Sequence, residues 1–369
     1  MHLRFYEANQ QYGSLVRVGP KDVVTSDPDL MRHMLGVRTK YTRSDWYNAM
    51  RLDPRHDNVL SSRDDATHTK LRSQMAGGYS GKEVTDLEAK IDDNVLRFMG
   101  LIDTYASENK RFDVGLKTQY FTLDVISDLA FGQPFGDLAS DSDVHDYIRT
   151  TEQNMPNIVV ATVLPWLLTM LSWPLLRRLL PSERDTTGLG KLIRLAGSDT
   201  TATAIRATLL HIITNRRVLT ALCAEIKEAQ PSWPVVTEAE ARKMRYLQAV
   251  IKEGLRIFPA VVGQMSKEVP KGGDTFKGVY LPEGTRIGYG AWGIFRLAEV
   301  WGQDADEFRP DRWLEADAER SRLMETTLEL VFGHGKWKCL GRNVAMMELQ
   351  KVFVESQFWV KAYKISEQN

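Results

Sequence analysis

One segment near the end of the chain, Phe332-Gly333-His334-Gly335-Lys336-Trp337-Lys338-Cys339-Leu340-Gly341, restricts the fold more than any other. The chain has only two cysteines, Cys223 and Cys339, so no disulfide framework holds it together and a reducing compartment suits it. Glycines flank Cys339. They let backbone wrap closely around a sulfur and aim amide N–H groups at it. A helix starting after Gly341 adds the positive end of its dipole, and Lys336 and Lys338 add positive charge. Each feature favours a thiolate, the form of cysteine that binds metal. A lone cysteine before a helix reads as a buried free thiol. The glycines on both sides favour the ligand.

The 369 residues are 43% apolar and 26% charged, with a net charge of +0, an ordinary globular mix that suits one domain over 1–369. No basic surplus exists to attract nucleic acid. No apolar core follows a basic start, so no signal peptide is expected. The longest apolar stretch, 158–180, contains Pro165 and Pro174 and ends near Arg177 and Arg178. That pattern predicts an interrupted pair of helices making at most peripheral membrane contact, not a span.

Along the chain, Leu15, Val16, Val18, Val23 and Val24 around Gly19-Pro20 predict a hairpin, and Asp27-Pro28 opens a short helix through Leu35. Helical periodicity follows from Ala66, over Val84–Ile102, Tyr120–Phe131 and Arg217–Ala229. A long helix is expected from near Leu189 past Ile213. Thr237 and Glu240 make a capping box. Val269–Tyr289 predicts short strands, and a last helix is expected from Gly341 to about Phe358. The chain is mainly α with a small β portion.

Three further constellations carry chemistry. Glu253-Gly254-Leu255-Arg256 puts opposite charges on one helix face, alone no more than a common surface pair. Ala196-Gly197-Ser198-Asp199-Thr200-Thr201 places glycine and hydroxyl residues inside a helical pattern, where they can bend it; alone it would be read as a cap. His68 and Arg72, four apart, can clamp an anion by charge-assisted hydrogen bonds, though such a pair is usually a solvated face.

Together these segments resemble the cytochrome P-450 family of haem-thiolate monooxygenases, whose haem loop is matched by Phe332, Gly335, Cys339 and Gly341. Glu253 and Arg256 resemble its buried Glu-x-x-Arg pair, and Phe308-Arg309-Pro310-Asp311-Arg312-Trp313 offers Arg312 to close the triad. Tyr41-Thr42-Arg43-Ser44-Asp45-Trp46-Tyr47 and Tyr120-Phe121-Thr122-Leu123-Asp124-Val125-Ile126-Ser127 look like fungal members related to pisatin demethylase.

The resemblance implies haem b with Cys339 as axial ligand, in a loop that includes Gly333. It implies His68, Arg72 and Arg296 at the propionates, with Thr200 to hydrogen-bond oxygen and Asp199 to relay protons. It further implies O2, a small apolar or phenolic substrate that is hydroxylated or O-demethylated, and an NADPH–cytochrome P-450 reductase docking near Lys336, Lys338 and Arg342. An endoplasmic reticulum membrane setting follows from the same likeness.

Trp337 departs from the family, which usually places a basic residue there for a propionate; its indole N–H remains a donor. The chain also reads as shortened: the anchor at the start, about two helices around 181–195 before the oxygen-activation helix, and the C-terminal hairpin. Two rival readings follow: a haem protein that no longer turns over, and a haem-free helical remnant.

Overall fold

The computed structural model describes residues 2–51, 57–79, 84–164 and 199–356. The first part of the chain folds as α1 (His2–Tyr12), β1 (Leu15–Arg17), β2 (Asp22–Thr25), α2 (Pro28–Leu35) and β3 (Thr42–Arg43). The helices α3 (Asp65–Tyr79), α4 (Leu87–Ser107), α5 (Val114–Phe131), α6 (Asp137–Ser140) and α7 (Tyr147–Val163) follow.

Beyond residue 198 come α8 (Asp199–Thr214), α9 (Arg216–Ala229), α10 (Glu238–Ala241) and α11 (Arg245–Ile257). The β4 (Lys267–Glu268), β5 (Asp274–Phe276), β6 (Val279–Leu281) and β7 (Arg286–Tyr289) strands come next. The chain then forms α12 (Ala291–Ile294), α13 (Ala298–Trp301), α14 (Arg312–Glu315), α15 (Ala318–Leu328) and α16 (Arg342–Glu355). The expected mainly helical fold with a small sheet is the one observed.

Local chemistry explains most boundaries. The side chain of Asp27 accepts from Asp29 N and Leu30 N and starts α2, with Pro28 at its first position. The capping box forms as expected, Thr237 with Glu240, although the helix it opens is only one turn. Val84 does not start α4; Asp86, at a left-handed φ of 57°, precedes it. Conversely α5 begins earlier than its apolar pattern, because Asp113 caps it.

The main core lies among α4, α5, α8, α9, α11 and α16, with Phe98, Phe121, Ile205, Leu222, Val250 and Phe353 buried in it. Helices α8 and α11 approach closely because of Gly254. A Cβ there would sit 2.0 Å from Thr208 Oγ1.

The larger sheet has the order β1-β2-β7-β4-β3, with β2 and β7 parallel. The hairpin β1–β2 was legible from the sequence, but β3 and β4 were not. Their pairing sets Arg43 opposite Lys267, so the two side chains share a face of the sheet.

The expected start of the long helix near Leu189, the segment 181–195 and the tail after residue 356 lie outside the described residues. Of the apolar stretch 158–180, residues 158–164 are described, and Val159, Val160 and Leu164 are exposed there. Among the described residues no helix is long and apolar enough to cross a membrane.

Candidate functional site

The cysteine loop is shaped by its glycines. Gly333 has φ +76° and Gly335 φ +57°, and a Cβ on Gly335 would lie 2.4 Å from the Leu35 carbonyl oxygen. A side chain at Gly335 would clash with α2 and hold a left-handed conformation at the same time. The loop closes where Cys339 N donates to Phe332 O at 2.7 Å, and α16 begins three residues later.

Cys339 is an exposed residue, yet burial of its sulfur pushes the thiol above the usual range. Backbone N–H groups of Gly341 and Arg342 and the Arg72 guanidinium pull the other way. A metal ion would deprotonate such a thiol outright, and those three groups stand ready to stabilise the anion.

Beside this loop lies a group of donors without acceptors. The His68 ring sits 4.3 Å from the Trp337 ring. Arg43 lies 4.3 Å and Lys267 Nζ 3.2 Å from the same Trp337 ring. His68 Nδ1, Trp337 Nε1, Arg43 Nε and Lys267 Nζ are all buried with no hydrogen-bond partner. Burial and the charges of Arg43, Arg72 and Lys267 pull His68 down to about 4, so it is neutral at neutral pH. The orphaned N–H groups of Trp337, Arg43 and Lys267 mark a place that an acceptor would complete.

On the other flank a cavity of about 300 Å³ is lined by Met75, Ile126, Thr201, Gly341, Ala345 and Glu348 among others. A Cβ on Gly341 meets nothing within 4 Å, so the loop leaves room for a flat group alongside. Glu348 is fully buried, hydrogen-bonds Thr201 and is pushed up to about 8, so it is a neutral acid that ties α16 to the first turn of α8.

A thiol, an apolar cavity and a cluster of buried nitrogen groups without partners fit a planar, largely apolar metal macrocycle bearing carboxylates. When bound, haem supplies the iron that activates O2.

The structure treats the remaining expected residues unevenly. Asp199 is tied by Gln119 Nε2 at 2.9 Å and the Tyr147 hydroxyl at 3.4 Å, and burial raises its pKa. Thr200 beside it is exposed, while Ala196, Gly197 and Ser198 lie outside the described residues. Arg296 is not brought to the His68 group. It pairs with Asp306 at 2.9 Å, donates to Ile257 O at 2.8 Å and stacks on Trp292 at 3.8 Å. The reason is its place in the chain: it follows α12 and lies behind α11.

Lys336 turns to Asp65 and is not a free surface cation. Lys338 and Arg342 flank Glu329 at 3.5 and 3.9 Å. Sequence reading missed Arg43, Lys267, Gln119, Tyr147 and Glu348. A fully buried acid on an otherwise apolar helix face was the one available signal, for Glu348.

Glu253, Arg256 and Arg312 do meet. Arg256 donates from Nη2 and Nε at 2.8 and 2.9 Å, and Arg312 Nε donates to Glu253 Oε1 at 2.9 Å. Trp313 Nε1 donates to the same carboxylate at 2.9 Å.

This helical class, with its thiol loop before the last helix, is one that other proteins share. The cytochrome P-450 family model matches residues 1–183 and 180–356, and this chain belongs to that family. It is 39% identical to Cytochrome P-450 monooxygenase ABA1 of Pyricularia oryzae over 411 residues, covering 95% of this chain and 80% of that protein. It is 32% identical to Cytochrome P-450 monooxygenase aba1 of Botryotinia fuckeliana, covering 95% and 79%. Both alignments are longer than this chain, so the relatives carry internal residues that it lacks.

The crystal structure of a mutant cytochrome P-450 haem domain shares the fold. Its TM-score is 0.71 at 16% identity, over 96% of this chain and 85% of that one. The chain is therefore an oxygen-incorporating oxidoreductase by family, a haem-dependent monooxygenase that takes electrons from a redox partner and acts on an organic substrate.

Proposed function

We propose that Cys339 is the axial thiolate of haem b, that His68, Arg72 and Trp337 hold its carboxylates, and that Asp199 and Thr200 serve proton delivery. The observation that carries this reading is the loop itself: the Cys339 amide locked on Phe332 O, with the first amides of α16 and the Arg72 charge directed at the thiol. Glu253, Arg256 and Arg312 are the structural triad that supports the loop's base. Asp199, raised by burial and fixed by two donors, can hold a proton at neutral pH longer than an ordinary carboxyl.

The substrate is small and apolar or phenolic, and the reaction is a hydroxylation or O-demethylation in fungal secondary metabolism. NADPH–cytochrome P-450 reductase supplies the electrons, docking over Lys338 and Arg342. The apolar residues Val159, Val160 and Leu164 at the end of α7 support contact with the endoplasmic reticulum membrane.

A second reading, a haem protein that no longer turns over, is favoured by the two-part family match meeting at 180–183 and by the internal residues present only in the relatives.

The test is turnover. Purified protein is combined with reductase, NADPH and a panel of phenolic and small apolar substrates under labelled O2. The proposal expects a product heavier by one labelled oxygen or a demethylated phenol. Reduced, haem-loaded protein that consumes no NADPH with any substrate contradicts it and supports the second reading.

A further inference from the structure

Two carboxylates are buried together where the chain turns from α5 into α7. Asp124 of α5 and Asp137 at the start of α6 are each 1% exposed. Asp124 accepts from Gly136 N, Asp137 N and Leu138 N at 2.8, 3.1 and 3.0 Å, which pins the near end of the turn. Asp137 Oδ1 accepts from Val144 N at 3.0 Å, which pins the far end. Within and just beyond these anchors, Asp141 and Asp146 hold left-handed φ values of 48° and 53°. Residues with side chains keep that conformation only where their surroundings enforce it.

The groups around Asp137 are mostly acids. Asp124 from α5 and Asp143 from the turn face it, as does Tyr120 of α5. Lys117 of α5 pairs with Asp141, whose second oxygen accepts from the Tyr105 hydroxyl of α4. Among the described residues Asp137 itself has no cationic partner. Two like charges withdrawn from water in one place are costly, and a proton on one of them removes most of that cost.

This turn holds the root of α7. Asp143 accepts from Tyr147 N at 2.7 Å and from Arg149 N at 3.0 Å. The Tyr147 hydroxyl reaches Asp199 at 3.4 Å, and α7 packs along the 3-10 helix Asp45–Met50. Among the described residues of α7, Tyr147, Ile148 and Thr150 are the buried ones, so its first turn is what anchors it.

We propose that Asp124 and Asp137 form a proton-operated latch at the root of α7. With a proton on Asp137 the turn stays closed and Tyr147 stays on Asp199. With both acids ionised the turn opens more often and the first turn of α7 comes free. The closed turn is the state the structure records, and the opened one is a minor state of the kind amide exchange reads. The latch does not rest on the haem reading.

The sign of the effect follows from where the proton is held. Burial, opposed by the Val144 N–H and reinforced by the charges of Asp124 and Asp143, pushes Asp137 up to about 7. In the opened turn its side chain meets water and titrates near the ordinary carboxyl value of about 4. Closure is therefore strongest below about pH 4. It weakens by up to about tenfold per pH unit as pH rises to about 7, and levels off above that.

The test is deuterium exchange of the full chain as purified, followed from pH 5 to 8.5. Each amide rate is divided by that of the same amide in an unstructured peptide at the same pH, which leaves its protection. Peptides covering Val144, Tyr147 and Arg149 should lose about thirtyfold to a hundredfold in protection between pH 5 and 7.5, then level off. Peptides of α5 and α11 should keep theirs. Asp137→Asn retains an acceptor for Val144 N and places no charge beside Asp124. Its protection over 144–149 should be independent of pH, at the level wild type shows at pH 5.

A wild-type profile that is flat over 144–149 overturns the latch, and that result needs no variant. So does a pH slope in Asp137→Asn equal to that of wild type. A loss of protection shared equally by α5 and α11 also overturns it, because the opening would then belong to the whole fold and not to this turn.

Discussion

Replacing Glu253 with alanine is expected to cost about 3–5 kcal/mol of stability, the penalty for leaving a buried charge unpaired. Glu253 and Arg256 are fully buried and Arg312 is 3% exposed. The carboxylate accepts two bonds from Arg256, one from Arg312, one from the Trp313 indole and one from Arg309 N. Without it, two guanidiniums remain in the core. They stay bound to carbonyls of Phe295, Ala305 and Glu307 and of Trp301 and Asp304, and Arg312 keeps the Asp304 carboxylate at 3.0 Å, but no anion neutralises Arg256. A loss of that size is a third or more of the total stability of an ordinary domain.

Glu253→Gln keeps one acceptor and the shape, and should fall between the alanine variant and wild type. Urea unfolding followed by circular dichroism measures both. A midpoint for Glu253→Ala equivalent to a loss under 1 kcal/mol would show that the triad is not what holds α11 to the segment ending at α14.

The second large effect is catalytic. Asp199→Asn is expected to slow product formation by about a hundredfold or more, in the range of a lost positioned acid or base. The asparagine can still meet Gln119 and Tyr147, which hold the present carboxylate at 2.9 and 3.4 Å, so the fold should be unaffected. Only the proton is lost. Because burial raises the Asp199 pKa, its acid form persists above the ordinary carboxyl range. The wild-type rate should therefore drop as pH rises through that raised pKa, and the drop should be absent in the variant. The check is a pH series of product formed per NADPH consumed, with saturating reductase. A variant within twofold of wild type at every pH would remove Asp199 from the proton path.

What the sequence made legible follows from how local each signal is. The Phe332–Gly341 loop, the Glu253–Arg256 pair, the Asp27 cap and the Thr237–Glu240 box are each decided within ten residues. Their geometry is the one their spacing implies. Arg43 and Lys267 are the opposite case. They lie on two-residue strands with no alternation to detect, and they meet only because β3 and β4 pair across more than two hundred residues of chain.

Basic residues on such short strands read as surface, so their meeting beside Trp337 was invisible. Gln119 and Tyr147 were missed for the same reason: polar residues on α5 and α7 show their purpose only once α8 packs against them. Arg296 was singled out by type and order; it pairs with Asp306, ten residues later, and keeps Nη1 buried without a partner.

The proposed roles of the residues around the cysteine loop all depend on Cys339 binding the haem iron as a thiolate. The most direct test is the absorbance spectrum of the purified, reduced protein under carbon monoxide, with Cys339→Ala beside it. The account predicts the long-wavelength Soret band of thiolate-ligated haem in wild type and its loss in the variant, with the fold retained. A wild-type protein without a haem band, or a band that survives Cys339→Ala, would contradict the assignment and leave a haem-free helical scaffold or a different axial ligand as the better account.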